Sequence, residues 1–104
     1  MGRYIKGSGY TPIYACAVTE HKREDGYSTD VVKTVGAGLT FETAEGYANG
    51  YIGSMTNNGW DILDEGYPTD ATGREQKDAY YWYLVNGEED YCLIAVNKLP
   101  LMHK

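Results

Sequence analysis

Residues 44–58 constrain the fold most. Ala44, Tyr47, Ala48, Tyr51, Ile52 and Met55 recur at i, i+3, i+4, i+7, i+8 and i+11, which is one apolar stripe of an amphipathic helix. The other apolar runs all read as strand, so a sheet has a single helix with which to cover itself. At about 100° per residue the stripe is centred opposite Gly46, Gly50 and Gly53. Three glycines on a solvent-facing side cost about 2–3 kcal/mol of helix propensity relative to alanine. A smooth ridge of this kind lets another backbone lie close, which makes Gly46, Gly50 and Gly53 candidate interface residues.

Around the helix the strand signals come in pairs. Residues 13–19 form a first apolar run, Asp25-Gly26 is a two-residue hairpin signal, and residues 27–35 return as a second strand. That turn sets Cys16 opposite Val35 and Val18 opposite Lys33, with Tyr14, Cys16, Val18, Val31 and Val35 on one apolar face. Gly36-Ala37-Gly38 is expected to break the strand. Thr43 is the expected N-cap, with Glu45 in the first turn, and Asn58-Gly59 the C-cap pair. Residues 60–64 are a short third strand and 66–78 a polar loop. Residues 79–85 and 91–98 are strands four and five around Asn86-Gly87, and Pro100 is expected to end the last strand. The order ββαβββ predicts a single α+β domain over residues 1–104, one helix on a mostly antiparallel sheet, with residues 1–9 a loose N-terminal arm. The helix followed by Asn58-Gly59-Trp60-Asp61-Ile62-Leu63 resembles a segment of small bacterial and phage domains, and no functional residue follows from that likeness.

The last hairpin is unusual because neither of its faces is polar. As paired from the sequence, Tyr81, Tyr83 and Val85 share a face with Cys92, Ile94 and Val96, and Tyr80, Trp82 and Leu84 share the other with Tyr91, Leu93 and Ala95. A half-solvated antiparallel strand alternates apolar with polar side chains. The face that the helix leaves bare therefore needs a second cover: the chain's own ends, a second copy, or a target. Tyr80, Trp82 and Tyr91 are the candidate anchors, since aromatic side chains bring large contact area at low entropic cost.

Charge narrows the partner. The net charge is −6, and residues 61–90 hold nine acids against Arg74 and Lys77, a local net of −7. Such a surface opposes direct nucleic-acid binding and attracts a basic protein. Asp64, Glu65, Glu88, Glu89 and Asp90 are the candidate steering charges. If the third and fourth strands pair, residues 64–78 put their acids at one end of the sheet. Asp61 and Glu88-Glu89-Asp90 gather at the other, an arrangement suited to competing for a cationic nucleic-acid groove.

The search for chemistry excludes more than it finds. Gly7-Ser8-Gly9 has no following helix to make a phosphate loop, and neither His21 nor His103 stands in a triad order. Asp61 and Asp64, three apart on a regular strand, fall on opposite faces and form no catalytic pair. Cys16 and Cys92 read as small buried hydrophobes, with a cross-strand disulfide left open. No metal site, cofactor or membrane span is expected, and the expected location is a cytoplasm, a host cell's included.

Small size, local acidity and aromatic excess together resemble small phage or mobile-element inhibitors, such as anti-CRISPR and other anti-defence proteins. The expectation is a non-enzymatic inhibitor that blocks a basic surface of a protein target, including that of a nucleic-acid-binding complex, and that forms a homodimer. Two alternatives stand beside it. One is a binder of a planar, nucleotide-like ligand in an aromatic pocket at a dimer interface; the other is a structural component of a phage assembly.

Overall fold

The computed structural model describes the backbone of residues 10–24 and 26–102, and side chains over 12–23 and 26–99. The elements are β1 (Tyr10–Glu24), β2 (Tyr27–Gly38), α1 (Phe41–Asn57), β3 (Asp61–Gly66), β4 (Tyr80–Asn86) and β5 (Asp90–Met102). They build the expected α+β fold. Five antiparallel strands lie in the order β2-β1-β5-β4-β3, and α1 packs over β2, β1 and β5. The arm expected over residues 1–9 lies outside the described residues.

The helix begins one turn earlier than its apolar stripe. Thr40, in extended backbone, is the N-cap: its Oγ1 accepts the backbone N–H of Thr43 at 3.2 Å. Thr43 is thus inside the first turn, and Glu42 is the acid that meets the helix N-terminus. Asn58 closes the other end as expected, its side-chain amide donating to the Ser54 carbonyl at 2.8 Å. Ala44, Ala48, Ile52 and Met55 face inward onto Cys16, Val18, Cys92, Ile94 and Val96. Tyr14 and Phe41 meet edge to face at 6.2 Å beside this core.

Gly36-Ala37-Gly38 does not break β2, which runs on to Gly38. The glycines serve the helix instead. A Cβ at Gly36 would lie 2.1 Å from Cγ of Tyr47, and one at Gly38 would lie 2.5 Å from Cγ2 of Thr43. Pro100 does not end β5 either; the strand continues to Met102, with Pro12 opposite Pro100. At that level β1 has already left β2 and β5 has left β4. The prolines therefore sit in a ribbon that no third strand joins among the described residues, where a missing N–H is tolerated.

Loop length decides which side chains share a face. The first hairpin turns through two residues, with Gly26 at φ +82°, and Val18 pairs with Lys33 as expected. A bulge then takes Val35 out of register, so Cys16 sits opposite Gly36, and Val31 stays exposed rather than joining the core. The last hairpin turns through three residues, Gly87 at φ +77° with Glu88 and Glu89, and Asn86 pairs with Asp90. A one-residue change in loop length exchanges the faces of one strand against the other. Tyr80, Trp82 and Leu84 therefore point to the helix side with Cys92, Ile94 and Val96, while Tyr81, Tyr83 and Val85 share the far face with Tyr91, Leu93 and Ala95.

Both cysteines are buried thiols, free of a disulfide. Cys16 faces Val96 across the ladder and Cys92 faces Glu20, so the two lie four residues apart along paired strands. Burial pushes the Cys16 thiol up to about 11 and the Cys92 thiol up to about 12.

Candidate functional site

Because α1 covers one side of the sheet, alternate residues of the same strands make up a second face on which no element packs among the described residues. One row crosses that face over all five strands. It begins at Asp30 on β2, whose carboxylate lies 2.5 Å from Nδ1 of His21 on β1. The His21 ring stacks on Tyr91 of β5, with centroids 4.6 Å apart and planes 10° from parallel. Tyr91 in turn meets Tyr83 of β4 at 5.6 Å. Tyr83 stands opposite Asp64 of β3, whose Oδ2 accepts the Tyr81 hydroxyl at 2.9 Å. The row is thus aromatic in its middle and carries a carboxylate at each end. The bond to Asp64 also holds the Tyr81 hydroxyl pKa above its ordinary value, first through the hydrogen bond, then through burial and the nearby charge.

A third carboxylate joins this face through an irregularity. The register of β3 against β4 shifts between Ile62 and Asp64, so Asp61 stands opposite Val85 and Asp64 opposite Tyr83. Val85 and Tyr83 are two apart on one strand and point the same way. Asp61 and Asp64 therefore share the uncovered face, contrary to the opposite faces expected of a regular strand. Leu63 is the residue the bulge displaces, and it stays exposed.

The three expected anchors part company. Tyr91 lies in the row. Trp82 is 6% exposed and belongs to the core with Leu84 and Ile94, so it cannot anchor a partner. Tyr80 sits at the margin of the helix side, against Trp82 at 4.8 Å and edge to face with Tyr67 at 5.0 Å. Its hydroxyl donates to Glu65 at 3.3 Å, which places Glu65 on the helix side and Asp64 on the other. Tyr81, Tyr83 and His21 are the residues that sequence reasoning left out of the site. The acids at the last hairpin, read as a three-residue loop, would have revealed the two tyrosines.

The remaining acids flank the row at the ends expected. Glu88, Glu89 and Asp90 line a shallow hollow with Arg23 and Asn86. There Arg23 offsets part of the charge: its backbone N–H donates to Asp90 at 3.2 Å and its guanidinium lies 3.8 Å from Glu89. At the other end the loop after β3 is ordered around Asp70, which accepts from Thr72 Oγ1, Thr72 N and Arg74 N at 2.6, 2.8 and 3.1 Å. The Thr72 hydroxyl and these amides hold the Asp70 carboxyl below its usual range. Gly46, Gly50 and Gly53 line the outward side of α1, and a Cβ at any of them would meet nothing within 4 Å.

Among the described residues no group of three or more His, Cys, Asp or Glu side chains is arranged to hold a metal ion. No helix among them is long and apolar enough to cross a membrane. No protein-family model, curated protein or solved structure matches this chain.

Proposed function

We propose that the protein is a non-enzymatic binding module that occupies a basic surface of another protein. The observation that carries this reading is the row Asp30–His21–Tyr91–Tyr83–Asp64 on a face that no described element covers. Tyrosine faces accept guanidinium and ammonium groups by cation–π attraction, and carboxylates on both sides hold such groups in place. The local charge of −7 over residues 61–90 steers a cationic partner towards the β3–β4 side of the sheet. A target that itself binds nucleic acid offers a surface of this kind. Small size and acidity fit the inhibitor type carried by phages and mobile elements, anti-CRISPR and other anti-defence proteins among them, acting in a cytoplasm. The row is an open face rather than a cleft, which favours a protein partner over a planar small ligand.

The test compares proteins retained from a cell extract by the wild type, by Tyr83→Ala/Tyr91→Ala, and by Glu88→Gln/Glu89→Gln/Asp90→Asn. Loss of the same partner from the tyrosine variant, with salt-sensitive weakening in the neutralised one, supports the reading. A partner retained equally by all three folded proteins would sink it.

A further inference from the structure

We propose that the β2 edge is the seam of a symmetric homodimer, in which β2 pairs antiparallel with β2 of a second copy about Val31 or Val32. The two edges of the sheet are built differently. β3 is six residues long, bulged between Ile62 and Asp64, and carries Asp61, Asp64 and Glu65; length, bulge and charge all discourage pairing with another strand. β2 is twelve residues long, and from Tyr27 to Thr34 its register on β1 is unbroken. Its outer backbone groups have no partner strand among the described residues. Tyr27 is 76% exposed, Val31 52% and Val32 69%, an apolar exposure that natural edge strands avoid unless they pair.

Charge selects a second copy as the occupant. With β2 and β3 at opposite edges, the acidic residues 61–90 lie mostly at the far side of the sheet from β2, while β2 itself carries one Asp30 and one Lys33 and is neutral. Two molecules of net charge −6 repel wherever their acidic sides meet, and the β2 seam keeps those sides farthest apart. The symmetry then restricts the register. A two-fold axis between like antiparallel strands runs normal to the sheet and sets one residue opposite its own copy. Centring on Asp30 or Lys33 would bring like charges together, whereas centring on Val31 or Val32 sets valine against valine. The product is one continuous sheet with both helices on one side and both aromatic rows on the other. This seam does not depend on the basic-target reading, and either can fail without the other.

Light scattering across a concentration series, up to about 1 mM, tests the seam. The expected result is a reversible shift from the 11.6 kDa chain to twice that mass. Val31→Lys/Val32→Lys should stay monomeric with an unchanged circular dichroism spectrum, because both side chains are exposed in the single chain. Tyr83→Ala/Tyr91→Ala should still dimerise. Should the lysine variant misfold, hydrogen exchange of the wild type decides, with amides of residues 28–34 slowing as concentration rises. A wild type that stays monomeric throughout overturns the proposal. So does a dimer that the lysine variant keeps or the tyrosine variant loses, and so does β2 exchange that ignores concentration.

Discussion

The two faces of this sheet are made by the same strands and differ in what covers them. On the helix side Leu84, Ile94, Val18 and Val96 are fully buried. One residue along, on the far side, Tyr83, Val85, Tyr91 and Leu93 are screened, among the described residues, only by their neighbours in the sheet. Buried packing is concentrated on the first face, and no described element packs on the second. An alternating strand normally reserves polar side chains for its open side. This one keeps aromatic side chains there and sets carboxylates around them.

The largest effects should separate the faces directly. Leu84→Ala removes packed core and should cost about 2–5 kcal/mol in denaturant unfolding. Leu93→Ala, on the open face, should cost less than half of whatever Leu84→Ala costs. Equal costs would mean that the second face is covered in solution. Gly36→Ala forces Tyr47 off the strand and should cost about 1–3 kcal/mol by the same assay.

High pH probes the covered face. The unfolded thiols ionise near their ordinary 9.0, while burial holds Cys16 to about 11 and Cys92 to about 12 in the folded chain. The Tyr51 hydroxyl, raised first by burial and then by its bond to Glu20, acts in the same direction. Raised folded-state values give stability that is present below the unfolded value and lost as pH climbs, so the denaturation midpoint should fall from pH 9 upward. Replacing both cysteines by alanine should flatten that fall; an unchanged slope would assign it to other groups.

Smaller effects sharpen the picture of the helix. Thr40→Ala removes the observed N-cap and should cost about 1 kcal/mol, whereas Thr43→Ala should cost less. Gly50→Ala meets open space and should stabilise by about 0.5–1 kcal/mol. If Gly50→Ala weakens partner binding while raising stability, the ridge belongs to an interface after all.

The fold was largely legible because its signals are local. The stripe from Ala44 to Met55 gave the helix, and Asp25-Gly26 gave the first register as far as the bulge. The site was less legible because it depends on parity. The three-residue loop Gly87–Glu89 sets Trp82 opposite Ile94 rather than on a face with Tyr91 and Leu93, which puts Trp82 in the core and turns Tyr83 outward beside Tyr91. The bulge at Leu63 likewise brought Asp61 and Asp64 to one face. The extra residue at Val35 and the approach of Tyr47 to Gly36 are set by tertiary packing, for which no short-range signal exists.

The most direct test of the central claim is a titration of isotope-labelled protein with an arginine-rich peptide, followed by amide chemical shifts. The account predicts salt-sensitive shifts centred on Tyr83, Tyr91, Leu93 and Asp64, and their loss in Tyr83→Ala/Tyr91→Ala. Shifts confined to the loop acids at Glu88 and Glu89, with the aromatic row unmoved, would contradict it.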